Sequence, residues 1–192
     1  MSEMKLLQKV LGMNLRKVQC ALVAMGLFFG VGVASAIAAD YAHEVKVKDM
    51  TFAWTVDGDK LAVKVAAPTD GWVGIGFNPT EAMKGANIVM GYVKNGKVKI
   101  VDEFGDQETG HSIDTKLGGS EDVTVIGGSE EGGVTTLEFA IPLDSGDKSD
   151  NVINVNSDTK IILAYGAGRD SFLPRHKFRT SIVVNLGSGA MQ

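Results

Sequence analysis

The sequence is nearly free of cysteine: Cys20 is the only one, and it lies in an apolar run near the N-terminus. Downstream of that run no disulfide, thiolate nucleophile or cysteine-bound metal is available, so stability there rests on a packed core. Positive charge is also scarce. Nineteen Lys and Arg stand against 23 Asp and Glu, a formal net charge of −4. That balance argues against a nucleic-acid partner, whose phosphates require a basic surface. After residue 40 no long stretch repeats with the 3.6-residue period of an amphipathic helix. No G-x-S-x-G elbow occurs, and no His-rich or Cys-rich spacing suits zinc.

The N-terminus is built differently from the rest. Lys5, Lys9, Arg16 and Lys17 stand against one acid, Glu3, and "CALVAMGLFFGVGVASAIAA" (20–39) follows with Ser35 as its one clearly polar side chain. A basic start, an apolar stretch and small residues in A-x-A order describe a secretory signal peptide. "ASA" (34–36) and "AIA" (36–38) offer cleavage, so residues 1–39 read as leader and 40–192 as one exported domain. The rival is an uncleaved anchor, since about twenty apolar residues span a bilayer; the Gly- and Ala-rich end favours cleavage. The folded part is therefore expected in the periplasm or secreted, and off the membrane unless the leader is retained.

Short β-rich runs punctuated by Gly, Asp and Asn fill the remainder. "MTFAWTV" (50–56) and "KLAVKVAA" (60–67) flank Asp57-Gly58-Asp59, a hairpin signal. In the second run Lys60, Ala62 and Lys64 alternate with Leu61, Val63 and Val65, giving one wet and one buried face. "GWVGIGF" (71–77) and "ANIVMGYV" (86–93) come next, the latter apolar on both faces and hence a central strand. Asn95-Gly96 turns it into "KVKIVDEF" (97–104). "DVTVIGG" (122–128), "VTTLEFAIPL" (134–143), "KIILAYGAG" (160–168) and "HKFRTSIVVNL" (176–186) complete nine strands. The pattern predicts an all-β antiparallel sandwich or barrel.

Three histidines follow the leader: His43 at the start, His111 in a polar loop, and His176 in "RDSFLPRHKFRTS" just before the last strand. His176, set in a partly apolar loop, has two readings, a packed ring or a ligand. In "DSGDKSDN" (144–151) Asp144, Asp147 and Asp150 fall every third residue. Calcium is a minor reading there, and a plain acidic loop is the preferred one, because the run departs from the EF-hand pattern. Met83 is the odd residue. It sits in a turn between two strands, where Gly, Pro, Asn, Asp and Ser are usual. It serves either to fill a gap in the packing or to offer its thioether to a metal. Met and His form an axial pair for haem iron, in which the soft sulfur favours the ferrous state.

"GWVGIGFNPTEAMKGANIVMGYVKNGKVKIVDEF" resembles the central block of DOMON domains, β-sandwiches of secreted haem- and sugar-binding proteins. "VTTLEFAIPLDSGDKSDNVI" and "TKIILAYGAGRDSFLPRHKFRTSIVVNL" are similar to that family's closing blocks, so the likeness spans roughly 43–186. It implies an immunoglobulin-like β-sandwich. In the cellobiose dehydrogenase type, a Met after the Gly-Trp strand and a His before the last strand ligate b-type haem; the matching positions here are Met83 and His176. The resemblance thus implies haem b, an electron-transfer rather than a catalytic role, and a redox partner protein or an oxidoreductase of which this chain is a subunit. A haem-free carbohydrate-binding or adhesion module is the alternative.

If haem is bound, Trp72, Ile75, Phe77, Met90, Tyr92, Phe172 and Phe178 are candidate walls, and Arg175, Lys177 and Arg179 candidate partners for the propionates. Met90 is the competing sulfur, but its mid-strand position assigns it to the core. An acceptor for the second ring nitrogen of His176 is expected. Strands that simply alternate up and down would leave the Met83 and His176 loops at opposite ends. A crossover in 105–121 or 144–158, with "NVINV" (151–155) as a short strand, is expected to bring them together.

Overall fold

The computed structural model describes residues 40–192; the leader reading of residues 1–39 lies outside the described residues. Strands β1 (His43–Val47), β2 (Met50–Asp57) and β3 (Lys60–Ala67) begin one sheet. Strands β4 (Val73–Phe77), β5 (Asn87–Lys94), β6 (Lys97–Gln107) and β7 (Gly110–Ile113) form most of the other, followed by the short helix α1 (Asp114–Leu117). Strands β8 (Thr124–Glu131) and β9 (Val134–Pro142) return to the first sheet, and β10 (Asp158–Gly166) and β11 (His176–Asn185) complete the second. The orders are β1-β2-β3-β9-β8 and β11-β10-β4-β5-β6-β7, with every neighbouring pair antiparallel. No helix of the described residues is long and apolar enough to cross a membrane.

Alternation determines which face of each strand is buried. Leu61, Val63 and Val65 of β3 are fully buried, as are Leu137, Phe139 and Ile141 of β9, which pairs with it. From the other sheet Ile75, Phe77, Val89, Ile161 and Leu163 meet them to form one core. Trp54 lies wholly inside and donates its indole N–H to the Leu186 carbonyl at 2.8 Å, which satisfies the polar end of a large apolar ring. The Asn95-Gly96 turn has positive φ at both residues, 52° and 72°, the type I′ geometry that matches strand twist and that Asn and Gly adopt at least cost.

The β-sandwich expected from the sequence is the observed architecture, and β5 is central, between β4 and β6. Three local expectations differ. The segment at His43, which precedes the first strand expected from the sequence, pairs along β2 as β1, and His43 packs against Trp54 with ring centroids 5.2 Å apart. A further strand, β7, folds back on β6 within the 105–121 connection. Residues 151–155 form no strand. The chain does cross between sheets on both long connections, yet those crossings do not bring the two loops to one end. Val73 pairs with Tyr165, Gly166 pairs with His176, and Phe77 pairs with Ile161. His176 therefore enters where β4 begins, and the Met83 loop leaves where β4 ends.

Candidate functional site

The two loops flank the outer face of the six-stranded sheet from opposite ends. Val73, Ile75 and Phe77 point into the core, so Gly74 and Gly76 face out. Register places Gly74 between Met90 and Ala164, and Gly76 between Ile88 and Ile162. A shallow trough therefore runs along β4 where side chains are missing, flanked by apolar residues on β5 and β10. An ideal Cβ on Gly74 would lie 3.2 Å from Cβ of Met90, and one on Gly76 would lie 2.7 Å from Cγ1 of Ile162. Side chains at these two positions would fill the trough.

Above this floor is a cavity of about 760 Å³, lined by Trp72, Met83, Met90, His111, Phe172 and His176 among others. Its size falls in the range of roughly 300–1,000 Å³ usual for sites that hold a sizeable ligand. Lys160, Arg175 and Arg179 also line it, a basic margin on an otherwise apolar pocket.

Met83 is half-buried at the tip of a tight turn. The turn is closed by Lys84 N–H to the Glu81 carbonyl at 2.8 Å and by Thr80, whose N–H and hydroxyl both donate to the Lys84 carbonyl at 2.8 and 2.9 Å. Ala82 adopts φ +48° to make the turn, a conformation that is costly for a residue with a Cβ. The backbone of Met83 is fixed on both sides. Its N–H donates to Glu108 at 3.1 Å, its carbonyl accepts from Ala86 at 3.1 Å, and Gly85 N–H donates to Gly105 at 2.7 Å.

His176 opens β11 opposite. The loop before it is held by Trp72, whose indole N–H donates to the Pro174 carbonyl at 3.0 Å. Among the described residues neither ring nitrogen of His176 has a hydrogen-bond partner, where the sequence reading expected an acceptor. Phe172 covers the β5 side of the cavity and packs on Tyr92 with ring centroids 4.9 Å apart, and Lys99 Nζ lies 5.6 Å from its ring.

Of the sequence-derived candidates, Met83, His176, Trp72, Ile75, Met90, Phe172, Arg175 and Arg179 line one cavity. Four do not, Lys177 of β11 among them. Phe77 is fully buried in the core, because it alternates with Gly76 and so faces inward. Phe178 pairs with Tyr165 on that same inner side and stacks on it at 5.4 Å. Tyr92 is on the outer face but stands behind Phe172 and does not reach the cavity. Met90, named both as a candidate wall and, from its mid-strand position, as core, lines the cavity. Its burial comes from the cavity side of the sheet.

The sequence reading also missed His111, which comes in from β7 to line the cavity. Its Nδ1 bonds the carboxylate of Glu103. That bond holds the imidazole pKa above its usual value, against the opposing effect of burial. The glycine floor had a local signal: in "GWVGIGF" glycines occupy alternate positions, which clears one face of a strand.

The residues present suit a large flat ligand with a metal at its centre. The glycine trough leaves room for one edge of such a ligand, a thioether and an imidazole approach from opposite ends, and the walls are apolar. Both tryptophans are buried, Trp54 at 0 % and Trp72 at 6 % exposure, so neither offers an open platform for a sugar ring.

Comparison with known proteins places the fold in a family. The family model for the DOMON domain matches residues 46–166. Human "DBH-like monooxygenase protein 1" is 32 % identical over 112 residues, which is 58 % of this chain and 18 % of that protein. The Drosophila melanogaster "MOXD1 homolog 2" is 28 % identical over 123 residues, 62 % of this chain and 15 % of that protein. The match thus spans less than a fifth of either relative. Among solved structures, the cytochrome b domain of pyranose dehydrogenase from Coprinopsis cinerea superposes with a TM-score of 0.59 at 15 % identity, covering 76 % of this chain and 82 % of that one. The cytochrome domain of Myriococcum thermophilum cellobiose dehydrogenase gives 0.54 at 11 % identity, covering 78 % and 83 %. At such identities the likeness is one of fold.

Proposed function

The chain belongs to the DOMON domain family, and from that premise we propose that it is an exported b-type haem domain that passes single electrons, with Met83 and His176 as axial ligands. The observation that carries this reading is that both side chains, arriving from opposite ends of β4, line a single cavity floored by Gly74 and Gly76. The resemblance in fold to cytochrome domains of two dehydrogenases supports it.

Bound haem supplies a one-electron couple at its iron. Met83 and His176 would hold that iron from two sides and leave no open position for substrate or oxygen, so the domain would carry electrons rather than catalyse a reaction by itself. Trp72 sets the loop that presents His176. The apolar floor excludes water, which strengthens electrostatic control of the site. Arg175, Arg179 and Lys160 offer positive charge for the two propionates. The domain works as a free periplasmic or secreted carrier, or as the haem subunit of an oxidoreductase, and in either case its partner is another redox protein.

The test is a reduced-minus-oxidised absorption spectrum of protein expressed with haem supplementation. A Soret band that shifts or vanishes in Met83→Ala and His176→Ala variants is expected. Absence of the band, or a band that neither substitution alters, would sink the assignment.

A further inference from the structure

A second cluster lies on the core side of the same sheet and plays no part in the haem reading. Asp102 of β6, Asp114 at the start of α1 and Asp150 in the β9–β10 connection each bring a carboxylate oxygen within 4.8 Å of the other two. Asp102 is 2 % exposed and Asp114 0 %. Acids that gather at a surface are ordinary; these are enclosed.

The oxygens around this point lack partners. Asp102 Oδ1, both oxygens of Asp114 and Asp150 Oδ1 are buried without a hydrogen bond. So is Oδ1 of Asn87, a neutral side chain only 4 % exposed. Asp102 pairs with Val89 and Phe104 with Asn87, so Asn87 shares the inner face with Asp102 at the diagonal position. Its orphaned carbonyl oxygen is an observation independent of the acids. Buried polar atoms are nearly always paired, and four unpaired carboxylate oxygens in one cluster, with a fifth unpaired oxygen on the neighbouring strand, call for a missing partner.

Among the described residues no Lys or Arg bridges any of the three carboxylates, so a cation is the partner that meets both the unpaired oxygens and their charge. The N–H of Asp122, 3.0 Å from Asp102 Oδ2, supplies only one bond. Hard oxygen donors without imidazole or thiolate suit calcium or magnesium rather than zinc. Magnesium dehydrates reluctantly and keeps several waters, whereas calcium accepts an enclosed, irregular set of oxygens.

We propose that Asp102, Asp114, Asp150 and the amide oxygen of Asn87 form a structural calcium site that braces the Met83 loop from behind. The neighbours of the site explain the bracing. Asn151, next to Asp150, donates its side-chain amide to the carbonyls of Gly85 and Asn78. Asn87 follows directly on the Met83 turn, and β6 continues from Asp102 to Gly105, which bonds Gly85. Of the acidic run 144–151, Asp150 alone takes part. Asp144 accepts from the Gly146 N–H at 3.0 Å, and Asp147 accepts from the Ser149 and Ser120 N–H groups, so both order the loop itself.

The site does not depend on haem and is tested without it. Haem-free protein is stripped with a chelator and titrated with CaCl2 by calorimetry and by thermal unfolding, with MgCl2 as the comparison. One calcium per chain, a rise in melting temperature that magnesium does not match, and affinity at least tenfold weaker in Asp114→Asn are expected. Asp150→Asn, less buried, provides the same reading should Asp114→Asn not fold. Slower hydrogen exchange at the Met83 and Gly85 amides in calcium is expected as well. No stoichiometric calcium binding at millimolar concentration, or binding that neither variant weakens, overturns the site; unchanged exchange with calcium bound overturns its bracing role.

Discussion

The indole N–H of Trp72 donates to the carbonyl of Pro174 at 3.0 Å, which ties the entry of β4 to the loop that delivers His176. One ring therefore both walls the cavity and positions a ligand candidate two residues further on. Trp72→Phe keeps most of the apolar surface and removes the donor. The variant is expected to lose about 1–3 kcal/mol of stability, the cost of an unpaired buried polar group. It should also bind haem less uniformly, which urea unfolding and the width of the Soret band will report.

Two methionines line the cavity, and they differ in how they are held. Met83 stands on a turn whose backbone is hydrogen-bonded on both sides, while Met90 is a floor residue facing Gly74 across the sheet. Met83→Leu is expected to remove the sulfur ligand and lower the reduction potential, since a thioether favours ferrous iron. Met90→Leu should leave the potential near that of the wild type. Potentiometric titration of both proteins checks this; the reverse ranking would make Met90 the ligand.

The glycine floor gives a steric prediction. With Cγ1 of Ile162 at 2.7 Å and Cγ1 of Ile88 at 3.2 Å from an ideal Cβ at position 76, Gly76→Val crowds the trough. Overpacking of about 1–3 kcal/mol, if it falls on the bound state, corresponds to roughly five- to 150-fold weaker haem binding. Far-UV circular dichroism should be unchanged, because valine suits a strand. Haem titration of the apoprotein is the measurement, and unchanged affinity would place the ligand away from this trough.

His111 and Glu103 make stability depend on pH. The bond to Glu103 raises the imidazole pKa above its ordinary 6.5, and Asp106 adds to the effect while burial opposes it. The folded protein thus holds this proton more tightly than the unfolded chain does. The pair's contribution is fully present below pH 6.5 and disappears as pH rises through the folded value. Denaturant unfolding of wild type and His111→Gln across that window is expected to show a difference that shrinks with rising pH. A difference that grows would contradict the ion pair.

Gly105 passes so close to the Met83 carbonyl that a Cβ there would overlap it. Gly105→Ala must therefore displace either β6 or the Met83 turn. A drop in haem affinity is expected together with lower thermal stability, both measured on the same preparation. A variant that matches wild type in both would show that the turn moves freely.

The strands were legible in the sequence because their signals are local. Alternation in Lys60–Ala67, the Asn95-Gly96 turn and the two-sided apolar run at Asn87–Val93 depend on neighbours one or two residues away, and each folds as the pattern implies. The resemblance to DOMON domains pointed to Met83 and His176 on the same terms, as positions within short motifs. Which aromatic rings face the cavity depends instead on register across β4, β10 and β11. A shift of one residue reverses every side chain, and the pairing that decides it lies some ninety residues apart in the chain. That is why Phe77 and Phe178 turned out to be core and Met90 a cavity wall. The Asp102–Asp114–Asp150 cluster is further still from local pattern, since only packing of three separate segments around a strand end brings those charges together. Local hydrophobic period determined the elements; long-range pairing decided what they enclose.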